Sequence, residues 1–184
     1  MPDDRLTIAL FVSSMYARTK FQKDIQKEIW DELLSDLEKL PEDLANFIKE
    51  SPEYDRIKAL HKHPMPFNIF NFVNISVPYL YRMNTCIYEI NDIPGFITSD
   101  NPCIWMDPFF IYPLEPKTWF GLGSRKLNVI LPISPTQCLS LMAGGFDGYQ
   151  EIDTEYAKII EELILAQAQE KVVINKKIIK ENWV

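Results

Sequence analysis

Apolar residues recur every three or four positions along the start of the chain, which is the spacing of helices that bury one face. A first helix is predicted over residues 4–18, with its buried side chains at Leu6, Leu10, Phe11 and Met15. A second helix is predicted to begin at Thr19, which forms a capping box with Gln22, and to end at Pro41. Its expected buried stripe is Phe21, Ile25, Ile29, Leu33, Leu37 and Leu40.

Three more helices are predicted before residue 84. Short helices are expected over residues 41–49 and after Ser51, where Pro52 suits the first helical position. Residues 66–83 are apolar on nearly every side, which predicts a buried helix bent near Pro78. A buried strand is the alternative for this stretch, but its length favours the helix.

The pattern becomes alternating after Asn84, and strands are predicted from there. Residues 85–90 predict a strand whose hairpin partner is residues 95–98, joined by a turn at 91–95. Residues 103–112 predict a strand or a loop packed on the core, and residues 126–133 and 137–142 predict two strands joined by a turn at 134–136. A last helix is expected from Asp153 to about Gln169, followed by a short strand within residues 171–175.

Helices followed by strands and then one helix predict an α+β fold, with N-terminal helices packed on a small, mainly antiparallel sheet. The 184 residues are expected to form a single domain spanning 1–184. Its parts are a helical part (1–83), a mainly β part (84–150) and a C-terminal helix with a short strand (151–184).

The composition narrows the class of protein. A formal net charge of −7, without a basic stripe, argues against direct nucleic-acid binding. Three cysteines without C-x-x-C spacing predict buried free thiols in a reducing compartment, and therefore a cytoplasmic protein. No apolar run approaches the ~20 residues that a membrane span needs, and the N-terminus lacks a signal pattern.

Few residues have the chemistry of a metal or cofactor site. The usual glycine-rich phosphate loops are absent. His61 and His63 are the only histidines, and we expect them at a helix end, because a third metal ligand would have to come from far away. The sequence therefore predicts no metal and no cofactor.

A run of polar side chains follows two apolar residues in the stretch FITSDNPC (96–103). The polar residues are Thr98, Ser99, Asp100 and Asn101, and Pro102 follows them. Such side chains cap the local backbone in turns, whereas polar residues at strand ends also face ligands. A structural turn is the favoured interpretation, and a functional site is the alternative.

Three stretches carry a resemblance to a known family. FITSDNP (96–102), LPISP (131–135) and FVSSMYARTK (11–20) resemble the bacterial family called domain of unknown function 4238, and the resemblance runs from about Leu6 to Asn175. It implies no activity. The residues to which it directs attention are Arg18, Thr19, Thr98 through Pro102, Pro132, Ser134 and Pro135.

The chain departs from the family pattern at three places, one of which is Cys86, near a position where an aromatic residue is common. Lys20 stands where the family usually has a proline. An N-terminal segment with a His-Tyr-x-Pro-Arg type motif is absent, so we expect the chain to lack that segment or to belong to a longer or split protein.

Arg18 is predicted to contact Asp100, or the side chains of Ser99 and Asn101. A buried guanidinium at the end of an apolar helix needs a partner, because an unpaired buried charge is very costly. This contact would join the helical part to the sheet.

Three functions remain open. The first is a cytosolic binding or interaction domain, in which the polar cluster of Arg18 and Thr98–Pro102 is mainly architectural or ligand-binding. Its protein partner would bind the acidic helix face or the aromatic residues of 105–110. That face comprises Asp24, Glu28, Asp31, Glu32, Asp36 and Glu38.

The other two functions depend on charged residues. A hydrolase-like or nuclease-like enzyme would use Asp100 and Ser99 as catalytic candidates and Arg18 as an anion clamp. The binding residues would be Arg18, Thr19, Thr98, Asn101 and Ser134. An acidic inhibitor that imitates nucleic acid is the last alternative.

Overall fold

Helices occupy the first part of the computed structural model, which describes residues 2–91, 95–106 and 122–174. They are α1 (Pro2–Ala17), α2 (Lys20–Glu38), α3 (Glu42–Lys49), α4 (Pro52–Lys62) and α5 (Pro64–Leu80). The five predicted N-terminal helices are therefore confirmed. Thr19 caps α2, because its side-chain oxygen accepts a hydrogen bond of 3.3 Å from the backbone N–H of Gln22.

The strands form one five-stranded sheet and one small sheet. The strands are β1 (Asn84–Glu89), β2 (Thr98–Ser99), β3 (Ile104–Met106), β4 (Asn128–Pro132), β5 (Gln137–Met142), β6 (Gly148–Glu151) and β7 (Val172–Val173). The larger sheet has the order β3-β4-β5-β1-β6 and is antiparallel except for the β1–β6 pair. With α6 (Thr154–Gln167) after β6, the element order confirms the α+β fold.

The predicted hairpin between residues 85–90 and 95–98 is wrong. β1 pairs with β5 and β6, whereas β2 pairs with β7 through Thr98↔Val173 and Ser99↔Val172. The backbone N–H of Phe96 donates to the carbonyl oxygen of Pro135 at 2.7 Å, which holds this segment against the β4–β5 turn instead. Residues 92–94 of the predicted turn and residues 107–112 of the predicted strand lie outside the described residues.

Helices cover both faces of the larger sheet. On one face, Ala9 and Val12 of α1 and Leu80 of α5 pack with Val129 and Leu131 of the sheet. On the other face, the buried residues of α6 pack with β1, β3 and β4. That core includes Cys86, Tyr88, Ile104, Ile130, Ala157, Ile160 and Ile164. Alternate residues of β4 thus face the two helical layers, as the period of a strand requires.

The face that α1 buries differs from the prediction. Its buried residues are Ala9, Val12, Ser13 and Ala17, whereas Leu6, Leu10 and Phe11 are 44%, 41% and 51% exposed. The small side chains allow α1 to approach α5 closely, and Ser76 Oγ donates to Ser13 Oγ at 2.8 Å. The apolar periodicity of the sequence predicted that the larger residues are buried. The smaller residues are buried instead, because α1 packs closely against α5.

Two other helices are less buried than predicted. Ile29 and Leu33 of the expected α2 stripe are exposed. α5, which was predicted to be buried all round, buries Asn68, Ser76 and Leu80. Its large exposed side chains are Phe67, Phe70, Ile75 and Tyr79. The helical layer therefore covers the sheet with one side and presents apolar residues on the other.

Candidate functional site

Asp100 follows β2 and binds the backbone just after α6. Its Oδ1 accepts a hydrogen bond from the N–H of Gln169 at 3.1 Å, and its Oδ2 accepts one from the N–H of Glu170 at 2.9 Å. Its own N–H donates to the carbonyl of Lys171 at 3.1 Å. Together with the β2–β7 pairs, these bonds join residues 98–101 to residues 167–173, and we term the arrangement the Asp100 latch.

Ser99 and Asn101 complete the latch. The buried Ser99 Oγ accepts a hydrogen bond of 3.2 Å from the N–H of Asn101. Asn101 Nδ2 donates to the carbonyl oxygen of Gln167 at 3.4 Å. Short polar side chains that bind nearby backbone are typical of a structural turn.

The predicted contact between Arg18 and Asp100 is wrong. Backbone N–H groups occupy both oxygens of the Asp100 carboxylate. Arg18 is exposed, and no residue in the described ranges forms an ion pair or a hydrogen bond with it. The physical reason is that α1 ends at Ala17, so Arg18 lies at an exposed corner where water solvates its charge.

Lys20 makes the connection that was predicted for Arg18. Its ammonium group forms an ion pair with the carboxylate of Glu170, which links the start of α2 to the latch. The hydrogen bond and the charge of Glu170 raise the pKa of Lys20, and Asp100 contributes a smaller effect in the same direction. A cation from the front of the chain therefore does meet the latch, two residues after the predicted one.

Opposing effects act on the Asp100 carboxyl. Partial desolvation raises its pKa, but hydrogen bonds from the backbone of Gln169, Glu170 and neighbouring residues outweigh this and lower the pKa below 3.8. The ionised form is therefore the one that the latch binds.

Replacing Asp100 with asparagine is expected to destabilise the protein by about 1 kcal/mol at neutral pH, since an amide offers one acceptor where the latch uses two. A lowered folded pKa means that the wild-type stabilisation is present above the ordinary value of 3.8 and is lost as the pH falls through the lowered pKa. The difference between wild type and Asp100→Asn should therefore shrink in acid. Urea denaturation between pH 7 and pH 2 measures it.

Asp55→Asn is a matched control for this prediction, because Asp55 is an exposed carboxylate on a different element, α4. It should change stability by less than about 0.5 kcal/mol. An Asp100→Asn penalty that grows in acid would contradict the role of the ionised carboxylate.

The remaining predicted site residues are dispersed. Thr19 is the cap of α2, and Thr98 pairs with Val173 in the small sheet. Ser134 Oγ accepts from the N–H of Thr136 at 3.2 Å, within the β4–β5 turn. Among the described residues, no contact joins Ser134 or Arg18 to Asp100.

One of the two histidines contacts an acidic residue of a neighbouring helix. His61 Nε2 lies 2.6 Å from Asp31 Oδ1, so this histidine bridges α4 and α2. In the described ranges, no three His, Cys, Asp or Glu side chains are grouped as metal ligands would be.

Sequence reasoning missed a buried polar cluster beside the latch. We term it the junction cluster, and its members are Gln22 of α2, Asn101, Trp105 of β3 and Gln167 of α6. Each has a buried side-chain nitrogen or oxygen atom that lacks a hydrogen-bond partner. The sequence offers a signal for Gln167, which follows the apolar residues 163–166, but not for Gln22, which lies between Phe21 and Lys23.

Tyr16 and Cys103 lie next to the junction cluster. The ring centroids of Tyr16 and Trp105 are 4.9 Å apart. Burial raises the pKa of Tyr16 to about 12, with a further rise from Cys103 and a smaller opposing effect from the Gln22 amide. Burial also raises the pKa of the Cys103 thiol to about 12, so both groups are protonated and uncharged at neutral pH.

A second feature lies on the helical layer. We define the outer helical face as the exposed apolar residues of α1 and α5, which are Leu6, Leu10, Phe11, Phe67, Phe70, Ile75 and Tyr79. The two helices are antiparallel, because Ser13 contacts Ser76 and Tyr16 contacts Phe72. None of the residues 6–17 or 64–80 is Asp, Glu, Lys or Arg.

Comparisons with known proteins identify the family alone. No curated protein and no solved structure matches the chain. Among the described helices, none is both long enough and apolar enough to cross a membrane. The family model described as "Protein of unknown function (DUF4238)" matches residues 1–178, and a match that begins at residue 1 gives no support to the expected loss of an N-terminal segment. With this match over nearly its whole length, the chain belongs to the family of proteins of unknown function DUF4238.

Proposed function

We propose that the chain is a non-catalytic interaction domain that binds an amphipathic helix of a partner protein on the outer helical face. The observation that carries this proposal is the exposure of large apolar residues, such as Phe11 and Phe70, on two helical segments, 6–17 and 64–80, that contain no charged residue. Monomeric proteins rarely expose extended apolar patches, and such patches usually mark interaction sites.

Burial of this face would supply the binding free energy. Apolar surface removed from water contributes about 25 cal/mol per Å², so a few large side chains account for several kcal/mol before the cost of association is subtracted. Phenylalanine and tyrosine are also the residue types that anchor interfaces. The anchors proposed here are Phe11, Phe67, Phe70 and Tyr79.

The charge around the face indicates the chemistry of the partner. α2 packs against α5 and carries the six acidic residues of the predicted acidic face. Two of them are already paired, Asp31 with His61 and Asp36 with Lys39. An apolar face beside an acidic helix fits an amphipathic helix that has apolar anchors and basic flanking residues.

In this proposal the Asp100 latch is architectural. Both oxygens of its carboxylate accept hydrogen bonds from backbone N–H groups. The carboxylate is therefore poorly placed to act as a general base. The latch secures the end of α6 and β7, while the partner binds on the opposite side of the sheet from α6.

The test is a binding measurement with a designed probe. A fluorescent peptide with leucines on one helical face and lysines on the other is titrated with the protein, and its anisotropy is recorded. Wild type should bind saturably, and the double variant Phe11→Ser/Phe70→Ser should bind at least about tenfold more weakly, which corresponds to about 1.4 kcal/mol.

Two controls make this result specific. Phe146→Ser/Tyr149→Ser removes two aromatic residues that are also exposed but lie at β6, and it should bind like wild type. A scrambled peptide of the same composition has the same charge without an apolar face, and it should bind weakly. Equal binding of both peptides, or equal loss in both double variants, would refute the proposed surface.

A further inference from the structure

An exposed arginine follows each of the two helices of the outer helical face. Arg18 comes directly after α1, and Arg82 comes two residues after the end of α5. Both side chains are exposed, and within residues 2–91, 95–106 and 122–174 neither guanidinium forms an ion pair or a hydrogen bond. Arg5, at the start of α1, is by contrast paired with Asp147 at 2.6 Å. The face therefore has two cations that are available to a ligand.

The spacing of residues places both arginines on the exposed side of their helices. Arg18 follows the exposed Phe11 by seven residues, and Arg82 follows the exposed Ile75 by seven and Tyr79 by three. Residues three, four or seven apart share one side of a helix. The helical turn continues to Arg82, because its backbone N–H donates to the carbonyl of Tyr79 at 3.1 Å.

The packing of α1 on α5 fixes the separation of the two arginines. The ring centroids of Tyr16 and Phe72 are 5.0 Å apart, and the hydrogen bond between the two buried serines gives the same antiparallel register. Arg18 is therefore level with about residue 70 of α5, roughly eleven or twelve residues before Arg82. With a rise of 1.5 Å per residue, the two arginines lie roughly 17 Å apart along the helix axes.

We propose that Arg18 and Arg82 select a partner helix that carries two carboxylate side chains eleven residues apart, an inference that rests on the proposed function of the outer helical face. Eleven residues make about three helical turns, so the two carboxylates lie on one side of the partner helix, about 16 Å apart. Each carboxylate forms an ion pair with one guanidinium, whose planar fork suits a carboxylate. The apolar residues between them pack on Phe11 and Phe70.

The charge of the surroundings makes this pattern selective. The formal net charge of the chain is −7, and the segments 6–17 and 64–80 offer no other cation. A partner carboxylate at a different spacing would be placed over apolar surface, where it would lose water without gaining a counter-ion. Lysines of the partner would face the acidic residues of α2, so the two kinds of charge would orient the bound helix.

Attraction to the helix C-termini is the simpler role for both arginines. Neither α1 nor α5 has a basic residue in its last turn, so Arg18 and Arg82 would supply the cation that such an end favours. This role predicts a small loss of stability when either arginine is replaced, but no dependence of binding on carboxylates in the ligand. A binding measurement therefore separates the two roles.

Three fluorescent peptides test the proposal by anisotropy at low ionic strength. All three have the leucine face and the lysines of the designed probe. The first has two glutamates eleven residues apart at the ends of the leucine face, the second has them seven residues apart, and the third has glutamines in place of the glutamates of the first. The first should bind at least about threefold more tightly than the third, since exposed ion pairs are individually weak, and more tightly than the second. Net charge alone predicts the reverse, because the third peptide is the most positive.

Matched variants locate the effect. Arg18→Gln and Arg82→Gln should each reduce the preference for the first peptide over the glutamine peptide, and the double variant should abolish it. Lys158→Gln removes the same charge from an exposed position on α6, on the other face of the sheet. It should leave the preference unchanged.

Several outcomes would overturn the proposal. They are equal binding of the first and third peptides, equal binding of the first and second peptides, and a preference that persists in the double variant. The glutamine peptide reports on the apolar surface alone. Absent binding of this peptide would therefore reject the proposed function and the arginine pairing with it, whereas equal binding of the first and third peptides would reject the arginine pairing alone.

Discussion

Replacing Gly95 with alanine is expected to destabilise the protein by about 3 kcal/mol. Gly95 has φ = +86°, a conformation that residues with a Cβ rarely adopt. An added Cβ would lie 2.1 Å from the carbonyl oxygen of Pro135 and 2.8 Å from its carbonyl carbon. Because both are backbone atoms, relief requires the segment to move away from the β4–β5 turn, which also disrupts the hydrogen bond from Phe96 to Pro135.

Gly144→Ala separates the backbone strain of a positive φ from the steric clash with Pro135. Gly144 also has a positive φ, +73°, but no atom lies within 4 Å of the position that its Cβ would take. Its replacement should therefore cost only the backbone strain, about 1 kcal/mol. Urea denaturation measures the free energy of unfolding of both variants. Equal losses of stability would show that the clash with Pro135 does not contribute to the destabilisation.

Replacing Ile164 with alanine is expected to destabilise the protein by about 3–4 kcal/mol, at the upper part of the range for large-to-small core changes. Ile164 is fully buried on α6 and packs in the core between that helix and the sheet. A cavity here loosens the last turn of α6, which leads directly into Gln169 and Glu170 of the Asp100 latch. We therefore expect the amide hydrogens of these two residues to exchange faster as well.

Ile159→Ala is the matched control on the same helix. Ile159 is only half-buried, so its truncation should cost about 1 kcal/mol and leave the latch amides protected. Denaturation curves measure the stability loss, and hydrogen exchange followed by NMR measures the protection. Unchanged exchange at Gln169 and Glu170 in Ile164→Ala would show that the latch holds independently of α6 packing.

Local chemistry explains why the elements of this fold were predictable. Thr19 and Asp153 cap helices through N–H groups three residues away, and Ser134 and Thr136 bond within one turn. Such interactions depend only on neighbouring residues, so the pattern of a few positions is enough to predict them. The α+β class followed from the order of these elements.

The pairing of distant segments was not predictable in the same way. The strand after Phe96 was expected to pair with its neighbour in sequence, but its partner is β7 near the other end of the chain. Two-residue strands carry almost no periodicity, and their register is set by the tertiary structure. The choice of the small residues of α1 over Leu10 and Phe11 likewise depends on the shape of α5.

The contacts of the candidate site were also not predictable from the sequence. Asp100 was singled out from the sequence, but its partners are backbone N–H groups, which have no signature in the sequence. The expected cation came from Lys20 instead of Arg18 because the helix ends one residue earlier than predicted. Gln22 was noticed only as part of a capping motif, although its buried amide places it in the junction cluster.

The position of β1 has a consequence for synthesis of the chain on the ribosome. β1 lies between β5 and β6, which are translated well after it, so its two edges remain open until Glu151 has been made. During that interval α1 and α5 have no completed sheet to cover. The nascent protein therefore exposes apolar helix surface for longer than a chain whose neighbouring strands are consecutive, and its yield should depend on chaperones that bind such surface.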